Sequence, residues 1–340
     1  MRIFLYEWIT GGGLVEHSGR LPASLLAEGA AMIQALAADF AALPGAEVAV
    51  LRDLRLDELE LPGCEIVEVD SDSTWRSEFD RCAQAADWTM VVAPEFDGIL
   101  VGTLARMEGH GARSLNAPLE FVRLAADKHA TAERLAAHGV AAPVGRLLEA
   151  DAAKMPADFP YPAVLKPASG AGSQHTLRIE GPGDEPEPYP WPRRLERFHA
   201  GRPASVSAIC GPAGVALLPP CWQHISQDGR FTYRGGAIVG EAHLAARAHA
   251  LAGQALAAMP PARGYVGVDL VLGDDPAGAE DVVVEINPRL TTSYVGLRAA
   301  VEGNLSQGII DAAAGMPVTP PKLRAAVEFS ASGAVWRALP

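Results

Sequence analysis

Residues 264–297 read "GYVGVDLVLGDDPAGAEDVVVEINPRLTTSYVGL". Two apolar runs, 266–272 and 282–286, flank a turn rich in Gly, Pro and Asp, which predicts an antiparallel hairpin. Along the second strand Glu285 and Asn287 sit two apart and share a face, while Ile286 turns away. Asp269 lies mid-strand on the partner, where an unpaired carboxylate in an apolar run is costly to bury. Three oxygen-bearing side chains on one face suit a hard cation, Mg²⁺ with Mn²⁺ as the alternative, which takes carboxylate oxygens beside phosphates and water. The plainer reading leaves Asp269 paired locally and Glu285 and Asn287 ending a strand in solvent.

Upstream, "YPAVLKPASGAGSQHTL" at 161–177 ends an apolar strand on Lys166 and continues at once into Ser169, Gly170, Ala171, Gly172 and Ser173. Such a small-residue loop can wrap phosphates with backbone N–H groups while the lysine adds a point charge. No G-K-[ST] follows, so it is not a P-loop, and an ordinary turn beside a surface lysine remains open. Lys128 falls in the first turn of a helix predicted over 128–137, a position that by itself is also that of a solvated residue.

The first hundred residues alternate strand-like runs (3–8, 48–52, 66–69, 88–95) with helical stretches (24–43, 73–86), the pattern of a parallel sheet with crossover helices. Gly11, Gly12 and Gly13 follow the first strand and resemble the start of a dinucleotide loop. The spacing fails: a G-x-G-x-x-G fingerprint needs its third glycine where Glu16 stands. Glu7, Thr10 and Glu95 lie at the carboxyl ends of predicted strands, where open α/β sheets place ligands, so a substrate ammonium could sit there. Trp8 and Phe96 could wall an aromatic ring, and Glu28 reads as a helix-surface carboxylate. Further helices are predicted near 244–258 and 301–314, and 181–192 as an exposed, proline-dense excursion.

The 340 residues exceed what one hydrophobic core usually organises, about 250–300 residues. A net charge of −13 disfavours a nucleic-acid or anionic-lipid partner. No apolar stretch reaches the roughly 18 residues of a membrane span. Cys64, Cys82, Cys210 and Cys221 are scattered without a C-x-x-C pair, which fits a reducing cytoplasm better than a disulfide framework or a zinc site.

In chain order, a "DK" opens a helix and leads to G-V-x-x-P, a strand ends V-L-K-P before a small-residue loop, "LERFHAGRPASVS" follows, and G-V-D precedes V-V-E-I-N-P-R. Over about 115–298 this series resembles the ATP-grasp superfamily. The resemblance implies an α/β and α+β ATP-grasp fold: a Rossmann-like pre-ATP-grasp domain at 1–114, a central lobe at 115–194, and a C-terminal lobe with the metal site at 195–340. It further implies ATP held by Lys128, Lys166, the loop residues Ser169, Gly170, Gly172 and Ser173, and an adenine-facing hinge of Glu196, Arg197, Phe198 and His199. Asp269, Glu285 and Asn287 become Mg²⁺ ligands, and Arg289 and Lys166 the catalytic cations. Many relatives carry a ribose-binding glutamate where this chain has Pro203.

The reaction implied is ADP-forming amide synthesis through an acyl phosphate, from an amino acid and an amine. The motifs "EWITGGG", "SLLAEGAAMIQALAADF", "VVAPEFDGIL" and "YRGGAIV" are similar to those of the tyramine-glutamate ligases of methanofuran-type cofactor assembly. This makes Glu7, Thr10, Gly11, Gly12, Gly13 and Glu95 candidate substrate contacts, with a homodimer expected from related ligases. Other amino-acid or dipeptide ligases, a non-catalytic ATP-binding module, and a nicotinamide-dependent dehydrogenase are the competing readings, the last disfavoured by the glycine spacing.

Overall fold

Strands separated by helices long enough to recross a sheet have to lie parallel, each entering alongside the last in the same direction. The computed structural model, which describes residues 1–152, 154–170 and 173–337, has this layout at its front. β1 (Arg2–Glu7), α1 (Ala23–Ala41), β2 (Glu47–Asp53), β3 (Cys64–Val69), α2 (Asp72–Ala85), β4 (Trp88–Val92) and α3 (Ile99–Gly109) build a parallel sheet in the order β3-β2-β1-β4. Strand alternation splits β1 between two cores. Ile3 and Leu5 pack with Ile33, Leu36 and Phe40 of α1, while Phe4 and Tyr6 join Phe79 of α2 and Leu104 of α3. All these side chains are fully buried, each contributing about 1.5–3 kcal/mol of apolar transfer.

Two helices, α4 (Leu119–Ala126) and α5 (Lys128–Ala137), lead out of this unit. Asp127 caps α5 by accepting from the backbone N–H groups of His129 and Ala130, both at 2.9 Å, and so places Lys128 at the first helical position. β5 (Gly145–Leu148), β6 (Ala163–Pro167), β7 (Leu177–Ile179) and β8 (Arg193–Arg197) form a small antiparallel sheet in the order β5-β8-β6-β7. A division between 194 and 195 would cut through β8. Pairing with β5 and β6 keeps the strand whole, so Leu195, Glu196 and Arg197 belong to the small sheet.

The larger sheet contains β9 (Arg202–Gly211), β10 (Gly214–Leu217), β11 (Cys221–Ile225), β12 (Tyr233–Ile238), β13 (Gly264–Leu272), β14 (Val282–Asn287), β15 (Val327–Ser330) and β16 (Val335–Arg337). Its order is β14-β13-β9-β11-β12-β15-β16, with β10 on β9. Helices α6 (Ala242–Ala258), α7 (Ser293–Ala300) and α8 (Leu305–Ala313) complete the chain. The expected hairpin is present as β13 and β14. The single helix expected at 301–314 is instead α8, preceded by the separate α7. Gly303 at φ +82° breaks the path, and Asn304 starts α8 by accepting from Ser306 N at 2.9 Å.

The front unit and the large sheet are joined through α1. Buried Asp39 accepts from the Tyr294 hydroxyl at 2.6 Å and pairs with Arg298, while Asn304 Nδ2 donates to its backbone carbonyl at 2.7 Å. Replacing Asp39 by alanine leaves Arg298 and Tyr294 without their acceptor. We expect a loss of about 3 kcal/mol in denaturant unfolding, with wild-type stability in Asp39→Ala contradicting this role.

Candidate active site

β13 and β14 pair so that Asp269 stands directly across from Glu285, with a bulge immediately after Asp269. Asn287, two residues beyond Glu285, donates from Nδ2 to Asp269 Oδ2 at 3.0 Å, and Gln223 of β11 donates to Oδ1 at 3.0 Å. Burial and the facing Glu285 charge push the Asp269 carboxyl up. Burial pushes Glu285 the same way, but the ammonium groups of Lys128 and Lys166 outweigh it and hold that carboxyl below its ordinary range. Two carboxylates facing each other in a buried hairpin repel, and a cation between them relieves the repulsion. With the Asn287 amide oxygen this is an all-oxygen donor set, which fits a hard divalent ion.

The two lysines come from different elements and reach the same place. Lys128 donates to Gly170 O at 2.6 Å and lies 3.2 Å from Glu285. Lys166, at the end of β6, pairs with Glu196 at 2.6 Å and donates to Val284 O at 3.2 Å. Glu196 also accepts from Arg194 Nε at 2.9 Å, so its carboxylate is committed to these two cations. Ser169 donates to the backbone oxygen of Glu95 at 3.1 Å, tying the small-residue loop to the front unit. Of that loop, Gly170 and Ser173 border the cavity, and Gly172 lies outside the described residues.

A cavity of about 340 Å³ opens between the small and large sheets. Lys128, Lys166, Asp269, Glu285, Asn287 and Arg289 all border it, as do Glu196, Arg197, Phe198 and His199. Val164 of the small sheet and Leu270 and Val284 of the large sheet give it apolar walls at one end, with Phe198 and Phe231 nearby at 6.4 Å between ring centroids. A slot with apolar walls at one end and ammonium groups lining it has the chemistry to take a flat heterocycle and an anion together. Pro203 also borders the cavity and offers no carboxylate; Ser205, two residues on, adds a hydroxyl-bearing side chain.

Arg289 is gripped by Glu95 through a bidentate pair, Nε to Oε1 at 2.9 Å and Nη2 to Oε2 at 3.1 Å. Glu95 thus positions Arg289, and it is not among the residues bordering the cavity. Glu7, Thr10, Gly11, Gly12 and Gly13 are not among the residues bordering the cavity. Glu7 is buried and accepts from Thr10 N at 2.8 Å and Thr10 Oγ1 at 2.7 Å. Burial pushes its carboxyl up to about 7, against the Thr10 hydrogen bonds and the Arg289 charge. The glycines serve close packing instead: a Cβ on Gly13 would lie 2.1 Å from Trp8 Nε1, and one on Gly12, at φ +95°, 2.5 Å from Val69 Cγ2. Trp8 and Phe96 stack edge to face at 5.7 Å.

The reading of Glu28 as a surface carboxylate is corrected: it borders the cavity and accepts from Thr292 Oγ1 at 3.1 Å. Tyr233, Thr291, Thr292 and Ser293 join it there. Helical periodicity could not announce this, because α1 is apolar on most of its circumference and only its neighbours decide which polar residue faces ligand.

The pre ATP-grasp 3 domain family matches residues 46–122, and the ATP-grasp domain family matches 125–293. The chain belongs to the ATP-grasp superfamily. A tyramine–L-glutamate ligase of Methanocaldococcus fervens is 25% identical over 299 residues, 87% of this chain and 89% of that one. The ligase of the same name from Methanocaldococcus jannaschii is also 25% identical, covering 87% and 84%. Among solved structures, an ATP-grasp superfamily protein from Archaeoglobus fulgidus superposes with a TM-score of 0.72 at 22% identity, over 97% of this chain and 92% of that one. An L-amino acid ligase from Bacillus licheniformis gives 0.64 at 15%, over 92% and 74%. These ATP-grasp neighbours share the fold, and the family implies ATP use with a divalent metal.

Two outcomes follow from the geometry. Glu285→Ala removes the carboxylate common to the metal set and the Lys128 contact, and should lower kcat about 10³-fold or more in a steady-state ADP-release assay. Glu7 binds its proton more tightly folded than unfolded, so its contribution to stability is complete below about pH 4.5 and is lost as pH rises through about 7. Unfolding titrations should therefore show Glu7→Gln gaining on wild type, by on the order of 3 kcal/mol between pH 5 and 8; a pH-independent difference contradicts this.

Proposed function

We propose that this ATP-grasp ligase joins the amine of tyramine to the γ-carboxylate of L-glutamate, in methanofuran-type cofactor biosynthesis, with release of ADP and phosphate. The observation that carries the chemistry is the convergence of Lys128, Lys166, Arg289, Asp269, Glu285 and Asn287 on one cavity. The substrate assignment draws its support from the two relatives named tyramine–L-glutamate ligase, which align over 87% of the chain.

In this reading the substrate carboxylate takes the γ-phosphoryl group of ATP, and the amine then displaces phosphate from the acyl phosphate. A divalent ion, with Mg²⁺ our assignment, would be held by Asp269, Glu285 and Asn287 and would neutralise charge on the transferring phosphoryl oxygens. Lys128 and Lys166 orient the phosphates from opposite sides. Arg289, held rigid by Glu95, faces the carbonyl oxygen whose charge grows as the amine adds. Positioning and preset charge do most of this work. The free thiols of Cys64, Cys82, Cys210 and Cys221 support a reducing, cytoplasmic setting.

A coupled assay with ATP, Mg²⁺, L-glutamate and tyramine tests the proposal. ADP release that requires both substrates, with the amide product identified by mass spectrometry, is the expected result. Turnover with other amino acids or dipeptide acceptors but none with tyramine would overturn the substrate assignment, and ATP binding without any turnover would favour a regulatory module.

A further inference from the structure

We propose that Glu28 is the recognition group for a substrate ammonium, and that it forms the acceptor end of the cavity opposite the phosphate-binding lysines. The inference rests on the ligase reading above and goes beyond it by locating a specificity residue on the front unit.

Glu28 is unlike the other glutamates around this site. Glu285 lies 3.2 Å from Lys128, Glu196 pairs with Lys166 and Arg194, and Glu95 pairs with Arg289. Among the described residues no cation lies within 4.0 Å of Glu28; it accepts from the Thr292 hydroxyl at 3.1 Å, with the Ser24 hydroxyl one helical turn back also beside it. Burial pushes its carboxyl up, against that hydrogen bond and the Arg289 charge. Glu28 is partly buried and the nearby Arg289 is already committed to Glu95, so a ligand that brings a cation into contact with Glu28 recovers desolvation cost on binding.

The backbone is shaped to hold Glu28 in this place. Gly29 lets α1 press onto the end of β1, where a Cβ would lie 2.5 Å from Ile9 Cγ2 and 2.7 Å from Glu7 Oε2. A larger residue there would force the Ile9 and Glu7 side chains or α1 itself to shift. Around it the lining is hydroxyl-bearing, from Tyr233, Thr291, Thr292 and Ser293. A negative group in this setting repels phosphate and attracts a primary ammonium.

A primary ammonium could be the α-ammonium of the amino-acid substrate or that of the amine before it loses its proton. Glu28→Gln separates these, since glutamine keeps an acceptor for Thr292 and removes only the charge. We expect the KM for one substrate to rise about 10- to 100-fold, with the Kd for ATP unchanged as the check on folding. If Glu28 reads the α-ammonium, the KM for L-glutamate rises and the wild-type preference for glutamate over glutarate disappears. If it reads the amine, the KM for tyramine rises and that preference survives. KM values for both within twofold of wild type would overturn the proposal. Any primary amine and amino acid that wild type couples will serve for the comparison. The tyramine assignment can therefore fail in the wild-type assay while Glu28 is still judged on its own.

Discussion

The bidentate pair between Arg289 and Glu95 is the constraint on which the rest of the site depends. Glu95 follows the last strand of the front sheet, and Arg289 follows β14 of the large sheet, 194 residues away in sequence. Breaking a buried pair of this kind by removing one partner costs about 3–5 kcal/mol, because the remaining charge is left uncompensated. The pair therefore does two things at once. It locks the front unit against the large sheet, and it fixes the guanidinium at a border of the cavity.

The same device recurs around the cavity. Lys128 is set by Glu285 and Gly170 O, and Lys166 by Glu196 and Val284 O. Each long cationic side chain has lost its rotamer freedom on folding, so phosphate binding does not have to supply that ordering again. The carboxylates that hold these cations are of two kinds. Glu95 and Glu196 are occupied by arginine or lysine contacts, whereas Asp269 faces Glu285 across the hairpin and needs a cation to quiet the repulsion.

Much of the architecture was legible from local pattern. The alternation of the first hundred residues announced a parallel sheet, and the two apolar runs around the Gly, Pro and Asp turn announced β13 and β14. The side chains that meet at the cavity were legible too, because a lysine at a helix start, a lysine at a strand end, and a carboxylate and an amide two apart on a strand are marked by short-range spacing. Legibility failed at the front unit. Glu7 and Glu95 both end strands, yet one is buried on Thr10 and the other is bound to an arginine. No local period distinguishes them. The separate helix α7 escaped for another reason, since its eight residues make barely two turns, too few for a helical period to stand out.

The sequence by itself determined the hairpin, the parallel front sheet, and the lysines at a helix start and a strand end, because each rests on residues within a few turns or one strand pairing. Only the tertiary structure decided which carboxylates are free to meet a ligand. That property depends on whether a cation from a distant element lies within reach, and burial makes the answer matter by several kcal/mol. Glu95 found such a cation in Arg289, and among the described residues Glu28 has none within 4.0 Å. A residue that looks like helix surface in the sequence thus stands at the border of the cavity.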